Sequence, residues 1–447
     1  SAFNFDGRMV RAMPGGVVHD DPLSEVLRKN LPTWHGQLQG FPGPLGNVEP
    51  STTEPLLQFL ERLSESFQGD QKPATNLESA AKHPLSASLM CQFLSSLIQA
   101  DGKVKSGEFW RSFGPALTKQ AAALRPQEQS SPLQRFCTRL LSGDCASALD
   151  HACEAGLWSH ALIISRLMSP EAYDKTLVRF GAAHSKPASG DAVPLGATEQ
   201  ELEDPVVRAL LLLYEALGRG SMPDIPEKLL PTWPAYVAVM SVVLRAPEHH
   251  QLVASFQEGI AGQLAAKGDT FGAHVCYLLG GDRTLEAVDA PSSLICVLGV
   301  EHRNPKNFAC LLEPLGLQLT ETFEYALRCG NPTSMCASFQ PFKLVHTMLL
   351  ADVGLVDKAR RYMVMLQAFV KAAPQNKLSG AFRASMRDFN ETLNASGAVQ
   401  GGHAAGHDGP RTGSLGFKNF FRGIAETTGF VTREIEPPAL LSDDEDD

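Results

Sequence analysis

No run in this 447-residue sequence is apolar for long enough to cross a bilayer: ALLLLYEAL at 209–217 and SLICVLGV at 293–300 fall well short of the ~20 residues that a spanning helix needs. Basic blocks are missing as well. Thirty-nine Lys plus Arg face 49 Asp plus Glu, giving a formal net charge of −10, and nowhere do five cations stand together, which argues against nucleic acid as the main ligand. The nine cysteines are odd in number and lack paired spacing, and no charged stretch followed by an apolar one opens the chain. The expectation is a soluble, cytoplasmic protein with reduced thiols. Also missing are the G-x-x-x-x-G-K-[ST] phosphate loop, the G-x-S-x-G elbow, the H-E-x-x-H zinc signature and a dinucleotide-binding glycine fingerprint. No catalytic residue and no cofactor is expected.

The densest His and Cys cluster, CASALDHACEAGLWSH, contains Cys145, His151, Cys153 and His160. On a continuous helix the two sulfurs would lie ~12 Å apart along the axis, too far to share a tetrahedral zinc. Burial is the better reading, and no metal site is expected. His274 and Cys276 read as one face of a buried helix. A segment with the look of a calcium loop begins at Asp101, but Lys103 and Lys105 stand where carboxylates are required. Asn390-Glu391-Thr392 and Asn394-Ala395-Ser396 match the glycosylation pattern by coincidence in a chain with no export signal.

What the chain does have is helix. Leu56, Phe59, Leu60 and Leu63 recur at i, i+3, i+4 and i+7, and the segment from Leu89 to Leu97 repeats that amphipathic spacing. The organisation expected is strands at 1–20, a Pro/Gly-rich and helix-poor linker at 21–52, helices over 53–394, a loop rich in Gly, His and Ala at 395–414, and an amphipathic helix with an acidic tail at 415–447. In that last part Phe417, Phe420, Phe421 and Ile424 share helical spacing ahead of the acids of 443–447. A docking helix and an ordinary capping helix are equally compatible with it.

A degenerate repeat runs through the helices: glycine, then alanine five residues on. It occurs at Gly143/Ala148, Gly156/Ala161, Gly268/Ala273 and Gly354/Ala359. Glycine can end a helix in the left-handed conformation and alanine lets the next helix approach closely, a grammar of antiparallel helix pairs stacked as an α-solenoid. Gly156, Trp158, Ala161, Gly268 and Ala273 are therefore expected at helix–helix contacts. The spacing is not regular enough for a tetratricopeptide or ankyrin array.

Against this helical background the opening SAFNFDGRMVRAMPGGVVHD alternates like a strand, turns at Pro14-Gly15-Gly16 and restarts at Val17. An isolated two-stranded hairpin is marginal in water and leaves both edges unpaired. With no other convincing strand set in the chain, residues 2–19 are expected to join a sheet in another protein, with Phe3, Phe5 and Met9 on the inward face. The other reading is a loose terminus or a hairpin packed on its own helices.

FNFDGRMV, GQLQGFPGPL, ASLMCQFLSSLIQADGKV, GLWSHAL, EDPVVRALLLLYEALGRGSMP, AHVCYLL and EYALRCG, in this order over residues 1–372, resemble the central conserved region of the large scaffold proteins of endoplasmic-reticulum exit sites, the Sec sixteen family, which carry an ancestral coatomer element. The resemblance implies a mainly α fold, a folded-back α-solenoid preceded by strands that complete an open β-propeller in the WD-repeat subunit of the COPII cage. Phe3, Phe5, Gly7, Met9 and Val10 would form the propeller-completing strand. It also implies a noncatalytic scaffold of COPII vesicle-coat assembly in ER-to-Golgi transport, peripheral at the membrane and able to contact other COPII coat proteins, with a homodimer possible. The alternative within this architecture is a nuclear-pore scaffold that uses the same propeller. Asp6 replaces a glycine and Met9 a leucine of the family's first strand.

Overall fold

The computed structural model describes residues 2–4, 8–12, 18–22, 32–46, 48–69, 75, 77–125, 131–184, 198, 201–244, 249–280, 285–286, 293–302, 311, 313–372 and 380–398. The chain divides into two bodies, one of residues 40–285 with 297–336, the other of residues 1–39, 286–296 and 337–447.

In the larger body, α2 (Pro50–Gln68), α3 (Glu78–Lys82) and α4 (Pro84–Gln99) come first. Both long helices start on proline, whose missing N–H is one of the unpaired donors of a helix start in any case. Leu56, Phe59 and Leu60 of α2 are buried as the spacing leads one to expect, whereas Leu63 is only half-buried and Phe67 is buried further along. α4 is buried almost all round, and α2, α5 (Gly107–Ala123), α13 (Thr270–Leu279) and α14 (Pro314–Gly330) all pack on it. Helices apolar on every side belong in cores, and α4 is the axis of this one.

From there come α6 (Pro132–Leu141), α7 (Cys145–Glu154), α8 (Trp158–Met168) and α9 (Pro170–His184), the last three each stacked on the one before it. It then returns. α10 (Pro205–Arg219) packs on α6, and α11 (Trp233–Val243) lies against both α5 and α6, before α12 (His250–Ala266) pairs with α13. This is a folded-back α-solenoid.

The Gly-x4-Ala repeat has a single structural meaning at its four positions. Gly143, Gly156, Gly268 and Gly354 have φ of 81°, 74°, 82° and 82°, the left-handed region that favours glycine. After three of them the next N–H reaches five residues back, Leu157 to Ala152, Asp269 to Leu264 and Leu355 to Leu350, at 2.8 to 3.0 Å, which is the Schellman closure of a helix end. Where aspartate follows the glycine it caps the next helix, Asp144 accepting from the Ser147 N–H and Asp269 from the Gly272 N–H, both at 2.9 Å. Ala148, Ala161, Ala273 and Ala359 are each 0% exposed.

The smaller body holds α1 (Pro32–Gly40), α15 (Gln340–Asp352), α16 (Val356–Ala372) and α17 (Gly380–Ala398), with Leu38, Leu344, Tyr362, Leu366, Phe382 and Phe389 in one apolar core. It also holds an antiparallel sheet of three strands in the order β1 (Ala2–Asn4), β2 (Arg8–Ala12), β3 (Val18–Pro22).

Two local expectations need correction. The linker of 21–52 contains a helix, α1, because Pro32 stands at its start, where proline is tolerated, and the next prolines come only after its end. Phe41 and Leu45, 1% and 0% exposed, make the end of that linker part of a core. The opening strand is not continuous either: the chain folds back between Asn4 and Arg8 so that β1 pairs with β2. The loop and tail expected beyond Ala398, with Phe417, Phe420, Phe421 and Ile424, lie outside the described residues.

Candidate partner-binding sheet and its anchored motifs

The register places Ala2 opposite Val10, Phe3 opposite Met9 and Asn4 opposite Arg8, and across the second pair Arg8 opposite Pro22, Met9 opposite Asp21, Val10 opposite Asp20, Arg11 opposite His19 and Ala12 opposite Val18. Directly opposed residues share a face of a sheet, and neighbours along a strand alternate. One face therefore carries Phe3, Met9, Arg11, His19 and Asp21. The other carries Ala2, Asn4, Arg8, Val10, Ala12, Val18, Asp20 and Pro22. Of the expected strand residues, Phe3, Met9 and Val10 fall in this sheet, with Val10 on the face opposite to Phe3 and Met9. Phe5 and Gly7 lie outside the described residues.

FPGPL, residues 41–45, is fixed to α14 by its backbone. The Leu45 N–H donates to Glu321 Oε1 at 2.8 Å, and the Leu45 carbonyl accepts from the Arg328 guanidinium. Phe41 meets Phe59 of α2 edge-on with ring centroids 5.3 Å apart. In the smaller body Lys358 does the equivalent for the preceding helix: its ammonium donates to the Leu38 and Gln39 carbonyls at 2.9 and 3.4 Å, a cation at the negative end of α1. Sequence reading missed Glu321, Arg328 and Lys358. The signal available was charge inside otherwise apolar helices, as in TETFEYALRCG.

Gly156, Trp158, Ala161, Gly268 and Ala273 lie at two helix-to-helix turns. Trp158 is half-buried and meets Phe180 of α9 edge-on at 5.5 Å. His160, two residues further along α8, has Nδ1 3.2 Å from the Tyr214 hydroxyl of α10, and burial pushes its imidazole below the ordinary range. At the second turn Asp269 accepts from Ser86 at 2.6 Å, and Ser86 in turn accepts from the Trp233 indole N–H at 3.1 Å. Burial raises the Asp269 carboxyl, while the Ser86 hydroxyl and the Gly272 N–H pull it back. Ser86 thus donates to Asp269 and not to a histidine, the wrong wiring for a serine nucleophile.

Sequence reading also missed a buried ion pair. Arg125, at the end of α5, donates from Nε to Asp204 Oδ2 at 2.8 Å, from Nη1 to Thr138 at 2.8 Å and from Nη2 to the Gln134 carbonyl at 2.9 Å. Asp204 also caps α10 by accepting from the Val206 N–H at 2.9 Å. One carboxylate therefore ties the returning helices to α5 and α6.

His151 is 9% exposed with Nε2 3.2 Å from the Pro132 carbonyl, and the buried His274 accepts from the Gly299 N–H at 3.1 Å. Among the described residues no three His, Cys, Asp or Glu side chains are grouped to hold a metal ion, and no helix is long and apolar enough to cross a membrane.

The larger body is thus a folded-back helical solenoid whose FPGPL loop is anchored by its backbone, and the three-stranded sheet belongs to the smaller body. This chain belongs to the family described as the Sec16 Sec23-binding domain, which matches residues 137–407. Similar proteins include COPII coat assembly protein sec16 of Aspergillus clavatus, 25% identical over 82% of this chain and 21% of the relative, and human protein transport protein Sec16B, 30% identical over 53% and 20%. Human protein transport protein Sec16A is 27% identical over 66% of this chain and 11% of its own length. The chain spans about a fifth of the length of the first of these relatives, 21%. Among solved structures it is similar to the Sec13/Sec16 complex of S. cerevisiae, with a TM-score of 0.45 and 16% identity over 89% of this chain and 97% of that one.

Proposed function

We propose that this chain is a noncatalytic scaffold of COPII coat assembly, acting at endoplasmic-reticulum exit sites in ER-to-Golgi transport. The observation that carries the reading is membership of the Sec16 Sec23-binding domain family over 137–407, together with relatives named as coat assembly and protein transport proteins. A coat protein, Sec23, is accordingly one expected partner, bound by the helices. The WD-repeat propeller Sec13 is the other, bound by the sheet of β1 to β3, with Phe3, Phe5, Gly7, Met9 and Val10 at the contact. Three short strands with apolar residues on both faces support this, since so small a sheet needs cover from outside itself. The same membership favours the coat over the nuclear pore. The chain is peripheral at the membrane and works by holding coat subunits together.

The test is localisation and recruitment. A fluorescently tagged chain, expressed in cells with Sec23 marked in a second colour, should collect on the Sec23-positive puncta and bind purified Sec23 in pull-down. A diffuse signal with no Sec23 retained would overturn the proposal, and a nuclear-rim signal would move it to the pore.

A further inference from the structure

α9 is the last helix before the chain turns back, and it packs on α8 and the edge of α7 through one side only. Thr176 is buried, the half-buried Phe180 meets the Trp158 ring, and the half-buried Tyr173 lies under the Arg166 guanidinium at 5.6 Å. These three stand at i, i+3 and i+7 and define the inward side. Asp174, Val178 and Gly181 share the opposite side, with the exposed Leu177 and Ala182 flanking them. Val178 is 73% exposed, more than any other large apolar side chain among the described residues.

The end helix of a stacked array stays soluble by presenting a polar outer face. The second half of α9 presents none. The Arg179 guanidinium turns to Asp150 of α7 at 2.6 Å, and no charged residue follows it through Ala183. A Cβ at Gly181 would meet nothing within 4 Å, so this chain's own packing does not call for glycine there, although glycine inside a helix is unfavourable relative to alanine. Charge lies at the other end of the face, where Asp174 is exposed and makes no ion pair among the described residues. The outward face is thus apolar and smooth at one end and anionic at the other.

α9 falls inside the matched region of 137–407. Resting on the reading that the helices bind Sec23, we infer that they do so through this face of α9. The docked segment of Sec23 is apolar where it crosses Val178 and Gly181, whose small neighbours let its backbone come close, and carries a Lys or Arg where it reaches Asp174.

Val178→Asp and Val364→Asp place the same carboxylate on two valines of the matched region, 73% and 67% exposed, on α9 and on α16. Neither side chain is packed in the core, so both variants should fold, and helical circular dichroism checks this. Titration calorimetry of the full-length chain against purified Sec23 reads the affinity. Val178→Asp should weaken binding by about 30-fold or more, because the new carboxylate is buried without a partner. Val364→Asp should change it by less than about threefold, the range of a solvent-exposed substitution. Asp174→Lys should weaken it by about tenfold and flatten its dependence on salt. Unchanged binding with Val178→Asp, or an equal loss with Val364→Asp, overturns the α9 site while Sec23 binding itself stands. A wild-type dimer that Val178→Asp dissolves in sedimentation, with Sec23 affinity unchanged, overturns it in favour of a second copy. Full affinity with Asp174→Lys overturns the cation. Failure of the wild-type chain to bind Sec23 overturns the reading beneath, and the site with it.

Discussion

Arg125→Met should destabilise the larger body by about 3 to 5 kcal/mol, the loss measured when one member of a buried ion pair is removed. The structure sets the size. Arg125 and Asp204 are 2% and 0% exposed at their side chains, so no water replaces the lost guanidinium, and Asp204 keeps only the single N–H of Val206 that caps α10. The Thr138 hydroxyl and the Gln134 carbonyl also lose the guanidinium, but they keep each other, the hydroxyl donating to that carbonyl at 2.9 Å, so they add little to the loss. Methionine keeps most of the aliphatic stem, so packing contributes little. Asp204→Asn on the same background removes the orphaned charge while its remaining oxygen can still accept from Val206, and should restore at least about 2 kcal/mol of the loss. Urea unfolding followed by tryptophan fluorescence reads the larger body, which holds Trp110, Trp158 and Trp233 of the four tryptophans. A loss below about 1 kcal/mol for Arg125→Met, or a double variant no more stable than the single one, would refute the argument that desolvation sets the cost.

Other expectations follow from single contacts. A Cβ at Gly330 would stand 2.1 Å from the Asp101 carbonyl, which is backbone and cannot swing aside, so Gly330→Ala should cost about 1 to 3 kcal/mol by the same unfolding assay; an unchanged midpoint would contradict the close approach. Ala161→Phe should cost a similar ~1 to 3 kcal/mol by overpacking the turn between α7 and α8, and a neutral result would mean that the turn can open. Burial, with the Lys358 and Lys343 ammonium groups second, pushes the His346 imidazole down to about 3. The folded state therefore keeps it neutral while the unfolded chain protonates near ~6.5, so stability present above that pH is lost as pH falls toward about 3, at ~1.4 kcal/mol per unit. Between pH 7 and pH 5 the wild type should lose about 2 kcal/mol more than His346→Leu; equal losses would place the titration elsewhere.

The helix grammar was legible because its cause is local. A glycine in the left-handed region and a small residue five positions on are decided within one turn of chain, and all four copies show the geometry that the residue types predict. The opening sheet was half legible. Alternation of Phe3, Phe5 and Met9 hides the fold-back, although Asp6-Gly7 between apolar alternations is the dipeptide that marks a hairpin. Counting prolines hid α1, since proline forbids a helix interior and not its first residue. The FPGPL anchor was out of reach for another reason. Leu45 and Glu321 are 276 residues apart, and nothing in either segment's own periodicity states the pairing. The buried Arg125–Asp204 pair is the same case at a separation of 79.

The central claim is that the first 22 residues, and not the helices, hold the propeller. Titration calorimetry of Sec13 against residues 23–447, beside the full chain, tests it directly. The account predicts that the truncated chain shows no binding heat at Sec13 concentrations saturating for the full chain, while its helical circular dichroism and the urea transition of the larger body are unchanged, because β1 to β3 lie outside that body. Full affinity in the truncated chain would contradict it and assign the propeller to the helices.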